Sequence, residues 1–281
     1  MSFLYPLGAA VFQAASATLD KVALSIKGVT YKTYTGVSFP LIFLFTLIIF
    51  LIVRPNLALE SFTSKIIILI LISAVFTVVT NLLYYRALKH DLLSEIQTFS
   101  LLSNIPLILL TALIFLEERN PILILLSVIC VIVLIWSHYE HHHFKISKDT
   151  LPYFIWIILI APFGGIILKI ILQAIDPISL QLIRDGIMAL IFIVLFFKNI
   201  KRVPRKAYLP LILTNILTSI AWILYFFSYQ KSGIIYTVLI FSIQPLLVYI
   251  TSIFLLKEKT NAKKIIAFVI ILICIGAAQL L

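Results

Sequence analysis

Ten apolar runs, each near the length of a bilayer-crossing helix, leave this chain few folds to choose from. A helix rises about 1.5 Å per residue, so roughly twenty apolar residues cover the hydrocarbon layer of a membrane. The runs are Leu4–Leu24, Tyr34–Val53, Ile66–Leu88, Leu92–Leu116, Ile122–Trp136, Leu151–Ala174, Pro177–Phe197, Tyr208–Tyr229, Ile234–Leu256 and Lys264–Leu281. The fifth reaches a spanning length only when extended to Tyr139. No aqueous core of this size could bury so many, and only 12% of residues are charged against about 25% in soluble domains. The first run has no basic segment before it and no convincing cleavage site, so it reads as a retained helix.

The runs fall into two sets of five. Ser73, Thr77, Asn81, Tyr84 and Glu117 have counterparts 141 positions later at Thr214, Thr218, Trp222, Tyr225 and Glu258. A shift of half the chain points to duplication. An odd number of crossings per copy sends the second copy through the membrane in the opposite sense, as in many secondary transporters. The expected fold is therefore an all-α polytopic membrane protein of ten transmembrane helices in two inverted five-helix repeats. Residues 1–137 form the first repeat, 138–150 a connecting loop and 151–281 the second repeat.

The net charge of +11 does not indicate nucleic acid, because the basic residues sit between apolar runs without an aromatic-interleaved patch. Topology explains it better. Fifteen Lys and Arg fall in the odd-numbered loops and four in the even-numbered ones, which places the odd loops in the cytoplasm and both termini outside. Anionic lipid headgroups suit the same residues. Cys130 and Cys274 lie inside apolar runs and read as small hydrophobes, with no disulfide or zinc site implied.

Polar residues at helical spacing inside apolar runs carry the functional signal. Thr77, Thr80, Asn81 and Tyr84 stack on one face of the third run, and Thr214, Thr218, Trp222, Tyr225 and Tyr229 on one face of the eighth. Lipid offers such stripes nothing, so they should face the bundle interior or water. Packing through Ser and Thr hydrogen bonds is the alternative. Gln97 and Asn104 continue the pattern in the fourth run and Gln244 in the ninth, where Pro106 and Pro245 interrupt the helices. Such a proline either bends the helix for packing or opens a cavity at the kink.

Away from the ends of the runs few charged groups occur, namely Asp20, Lys21, Lys169, Arg184 and Asp185; Glu95, near the start of the fourth run, reads as snorkelling to the interface or serving a substrate. Each needs water, a partner or a neutral form. Lys169 has no acidic neighbour one turn away, so it is held from another helix or attracts an anionic substrate. Arg184 and Asp185 are adjacent and cannot share one face, which frees Arg184 to point inward. Interfacial anchoring is the alternative for both cations. Gln13 and Ser16 extend the Asp20 face toward the membrane centre.

At this point the chain resembles the EamA-type transporters of the drug/metabolite transporter superfamily. The likeness rests on Tyr84–Leu88 ending one helix, a proline in the next and an acidic residue at its far end, repeated as Tyr225–Lys231, Pro245 and Glu258. It implies an inner-membrane carrier of small polar or amphipathic metabolites, often working outward by alternating access. It also implies a cavity between helices three, four, eight and nine with contributions from one, two, six and seven. The chain departs from the pattern in three ways. Asn104 stands opposite Pro245, Glu118 follows Glu117, and the family is usually drawn with cytoplasmic termini.

The expected function is a secondary transporter of an amino acid or similar amphipathic metabolite, acting as an exporter in a prokaryotic cytoplasmic (inner) membrane. Its expected substrate-binding residues are Gln13, Asn81, Tyr84, Gln97, Asn104, Lys169, Arg184, Trp222, Tyr225 and Gln244. The cations would take a carboxylate or phosphate and the aromatics an apolar body or a cation. A polyspecific drug exporter and a sugar-phosphate exchanger are the alternatives. A channel has no reason for inverted halves, and an enzyme would need acid, base or metal groups at one depth. The only histidine cluster, His138 and His141 to His143, lies in the connecting loop and reads as a hydrated tether. No glycine-rich phosphate loop occurs, so no ATP-driven step, catalytic residue, metal or cofactor is expected. Proton coupling is an open option, and the sequence leaves monomer and homodimer equally open.

Overall fold

Several helix starts in this chain are set by side chains that satisfy the first free amides. In the computed structural model, which describes residues 3–55, 59–91, 93–138, 147–200, 203–256 and 262–280, the secondary structure is helical throughout. Helix α1 is Leu4–Ser25. Helix α2, Tyr31–Val53, begins where the Thr30 hydroxyl accepts from the Thr33 amide at 3.1 Å, and α3, Ser64–His90, is capped in the same way by Thr63. Next come α4 (Leu93–Ser100), α5 (Asn104–Ile114), α6 (Pro121–His138), α7 (Leu151–Leu159) and α8 (Ala161–Leu172). Asn120 caps α6 by accepting from the Ile122 and Leu123 amides, with Pro121 beside it where a missing N–H costs nothing. Asp176 and Pro177 start α9 (Pro177–Ile200) similarly. The chain closes with α10 (Tyr208–Ser232), α11 (Ile234–Phe241), α12 (Gln244–Leu256) and α13 (Ala262–Ala278).

The expectation of ten transmembrane helices in two inverted five-helix repeats is corrected by these lengths. Among the described residues, five helical segments are long and apolar enough to cross a membrane: Tyr31–Val53, Ser64–His90, Pro177–Ile200, Arg205–Ser232 and Ile234–Thr251. Counting the bent pair α7 and α8 as one span gives up to six. Prolines account for part of the shortfall, since each lacks an N–H and crowds the carbonyl four residues earlier. Pro106 follows the break at Leu101–Ser103 that divides the expected fourth span into α4 and α5. Pro162 sits just after the 46° bend between α7 and α8. Pro245 would crowd the carbonyl of Phe241, where α11 stops. Asn104–Ile114 and Pro121–Ser137 are shorter apolar helices, and α13 has 17 residues. In α1, polar side chains such as Gln13, Ser16, Asp20 and Lys21 interrupt the apolar run.

The protein is an integral membrane protein. Its long helices turn large apolar side chains outward, including Ile52 at 75% and Val194 at 78% exposure, a surface that water does not tolerate over several helices. Inside, α1 packs most extensively on α10, α2 on α9, α6 on α13 and α3 on α8, so every major pairing joins an early element to a late one. Small residues permit the closest approaches. A Cβ on Gly165 of α8 would lie 2.8 Å from Leu107 Cδ1 of α5.

Polar side chains tie the connections together at both ends of the bundle. At one end Lys21 donates to the carbonyls of Leu88 and Asp91, both at 2.7 Å, while Lys89 donates back to those of Leu24 and Val29. Lysines on terminal carbonyls suit the negative end of a helix. There Asp91 also accepts from the Ser147 and Thr150 hydroxyls. At the other end Glu118, in the turn Leu116–Glu118, accepts from the Ile234 and Ile235 amides at 2.5 and 3.0 Å and pairs with Lys169 at 3.1 Å. Gly233 precedes these amides with φ +86°, and a Cβ there would lie 2.7 Å from the Glu118 carboxyl group. Glycine is required on both counts.

Candidate functional site

The polar stripes of the sequence meet at the helix breaks. A cavity of about 310 Å³ opens among α1, α2, α3, α4, α5, α7, α9, α10, α11 and α12. Gln13, Asn81, Tyr84, Gln97, Asn104, Arg184, Trp222, Tyr225 and Gln244 all line it. Lys169, the tenth expected residue, does not. It is buried behind the wall, bonded to Glu118 at 3.1 Å and to the Tyr229 carbonyl at 2.9 Å.

Side-chain bonds across the breaks hold the wall in place. The Gln97 amide donates to the Tyr84 hydroxyl at 2.8 Å, and Gln244 donates to the Gln97 side-chain oxygen at 3.1 Å, joining α3, α4 and α12. Asn81 spends one amide donor on the Thr77 carbonyl of its own helix, 2.8 Å away. Trp222 and Tyr225 meet edge to face with ring centres 5.3 Å apart, and Tyr225 lies against Phe241 at 4.9 Å. Trp222, 36% exposed, presents an apolar face with a polar tip, a surface suited to an amphipathic guest.

Arg184 is the cation of the site. It is buried, donates through Nη2 to the Thr77 hydroxyl and lies 5.1 Å from the Phe226 ring centre. Its Nε is buried with no hydrogen-bond partner. A buried donor left unpaired is costly, so an acceptor brought into the cavity recovers that loss. Gln13 Oε1, an acceptor from α1, is buried and unpartnered in the same wall. The cavity therefore carries one unsatisfied donor on a cation and one unsatisfied acceptor on a neutral amide.

Asp185 lines the cavity as well, although adjacency in sequence suggested that the two residues face apart. Its carboxylate is occupied, accepting from Thr46 at 2.8 Å and from the Gln181 amide at 2.8 and 2.9 Å. Gln181 was not among the expected site residues. Its spacing of three and four from Arg184 and Asp185 is the signal that finds it. Phe39, Tyr85, Tyr153 and Met188 also line the cavity, and nothing in their local sequence separates them from lipid-facing or core residues.

Glu258, Glu140 and His141 to His143 lie outside the described residues, as do the Glu95 and His138 side chains. Among the described residues no three His, Cys, Asp or Glu come together to hold a metal.

Residues 151–278 match the model of the EamA-like transporter family. None of the curated proteins matches the chain. A crystal structure that is 15% identical superposes with a TM-score of 0.73, covering 99% of this chain and 96% of its own. At that identity the likeness is one of fold.

Proposed function

We propose that the whole chain is an EamA-like secondary transporter that carries a small carboxylate-bearing amphipathic metabolite, such as an amino acid, outward across a prokaryotic cytoplasmic membrane. The family match over residues 151–278 supports general transport by a polytopic membrane protein. Residues 1–137 and 151–281 act as two halves around the cavity, joined by 138–150. The observation that carries the substrate class is the buried, unpartnered Arg184 Nε in the cavity wall. A carboxylate there gains a charge-assisted hydrogen bond to a buried guanidinium. Gln13 Oε1 offers the complementary acceptor to an ammonium or amide N–H, and Trp222 and Tyr225 cover the apolar body. Asn81, Tyr84, Gln97, Asn104 and Gln244 complete the site as orienting hydrogen-bond partners. Lys169 has no part in it, because Glu118 and the Tyr229 carbonyl already hold its ammonium.

Trp222 supplies the test, since the other tryptophans, Trp136 and Trp156, can be replaced by phenylalanine to leave it as the sole reporter. Titrating that protein with phenylalanine should change Trp222 emission saturably, and titration with phenethylamine, which lacks the carboxylate, should change it far less. Equal responses to the two compounds would remove the carboxylate reading.

A further inference from the structure

Asp20 lies one layer behind the cavity wall, where it ties α1 to three other helices and where a charge is costly to bury. It is 2% exposed and accepts hydrogen bonds from Tyr34 of α2, Thr214 of α10 and, at 3.4 Å, Tyr85 of α3. Among the described residues no Lys, Arg or His forms an ion pair with it; the neighbouring Lys21 gives its ammonium to the carbonyls of Leu88 and Asp91. A carboxylate desolvated without a cation is expensive, and taking up a proton removes the charge.

The group is also wired to the cavity. Thr218 on the cavity wall stands 2.5 Å from Ser16 Oγ, and Ser16 Oγ stands 2.9 Å from Thr214 Oγ1, which in turn donates to Asp20 Oδ1. Each of the three hydroxyls can donate and accept at once. The path crosses from α10 to α1, back to α10 and back to α1, so it runs through the most extensive helix contact in the molecule.

We propose that Asp20 is a proton-binding site filled and emptied from the cavity through Thr218, Ser16 and Thr214. A proton from cavity water joins Thr218 Oγ1 as that hydroxyl passes its own proton to Ser16 Oγ. Ser16 passes one to Thr214 Oγ1, and Thr214 passes one to Asp20 Oδ1. Three intact hydroxyls and one neutral carboxylic acid result. Because the wire begins in the cavity, Asp20 exchanges protons only with the side to which the cavity is open, which is the condition for coupling proton movement to substrate movement. The coupling rests on the carrier reading above, whereas the proton site does not.

The titratable groups facing Asp20 are few. Tyr34 comes from α2, and Tyr85 and Tyr84 come from α3, the last with its hydroxyl held by Gln97. On α1 itself Lys21 is turned to the α3 terminus, where Lys89 caps Leu24 and Val29. Helix α10 supplies the Thr214 hydroxyl, and α12 meets α1 through Thr251 and Thr18, 2.7 Å apart.

Infrared difference spectroscopy on the purified, substrate-free protein reads the site directly. A pH titration should reveal the carbonyl band of a protonated carboxylic acid, which D20N loses and D185N keeps. Ser16→Ala should keep the band but slow its appearance after a pH jump, since the wire is cut while Asp20 remains. Survival of the band in D20N, or an unchanged rate in Ser16→Ala, would overturn the proposal. The Ser16→Ala rate decides alone should D20N not fold. Proteoliposomes tested with labelled phenylalanine then examine coupling. A pH gradient should drive accumulation in the wild type, and D20N should fall to the level seen without a gradient. Gradient-driven accumulation that persists in D20N would overturn the proposal, whereas absence of phenylalanine transport in both proteins would count against the carrier reading and leave the infrared result to decide the proton site.

Discussion

Lys169 and Arg184 are both cations inside apolar runs, the second with Asp185 beside it, and the fold gives them different surroundings. Lys169 closes a buried pair with Glu118, 51 positions away, and no local spacing announces a partner at that distance. Arg184 donates to the Thr77 hydroxyl and lies over the Phe226 ring, and its Nε is buried with no hydrogen-bond partner. Replacing Arg184 by glutamine should cost about 1.5–3 kcal/mol of binding to a carboxylate-bearing substrate, roughly a ten- to hundredfold rise in Kd. Lysine in its place should recover part of the loss, because it supplies the charge but not the two-point grip. Equilibrium binding to folded protein checks both variants. Lys169→Met should behave in reverse, leaving Kd unchanged while lowering stability by about 3–5 kcal/mol, since Glu118 then keeps its two amide donors but is buried without its cation. Denaturation in mild detergent measures that. Gly233→Ala should also destabilise, by about 1–3 kcal/mol, because neither its φ nor the Glu118 carboxyl group accommodates a side chain. A thermal melt equal to wild type would contradict this. Asn81, Trp222 and Tyr225 were legible because their helical spacing places polar ends on one face. Phe39 and Met188 were not, because an apolar wall residue and a lipid-facing one leave the same trace.

At the scale of elements, the information about helix breaks was present in the sequence and the apolar run length outweighed it. Ten runs read as ten spans, yet Pro106, Pro162 and Pro245 each mark a place where the backbone is interrupted or bent. The breaks at Leu101–Ser103 and after Phe241 bring Gln97, Asn104 and Gln244 to the cavity, so interruptions of the apolar runs also line the site. Restoring an amide at position 245 gives the Phe241 carbonyl a partner and joins α11 to α12. Pro245→Ala should therefore fold at least as stably as wild type while swinging Gln244 away from Gln97, which now lie 3.1 Å apart. Weaker binding at unchanged or higher stability is the expected result, and binding at wild-type strength would show that the break does not position the site.

The whole molecule is fastened at both ends, with a polar-lined cavity set in an apolar core between them. One end is fastened by Lys21, Lys89 and Asp91, the other by Glu118 and Lys169, and the cavity draws its walls from early and late helices together. On the proposed carrier reading, cargo would bind in this cavity and leave as one end is loosened at a time. The most direct measurement is counterflow in proteoliposomes, scored per molecule of folded protein, with labelled phenylalanine and labelled phenethylamine as cargo and with Arg184→Gln beside the wild type. The account predicts that wild type moves phenylalanine and discriminates against the amine, and that Arg184→Gln loses most of the phenylalanine flux. Equal flux of both compounds, or phenylalanine flux untouched by Arg184→Gln, would contradict it.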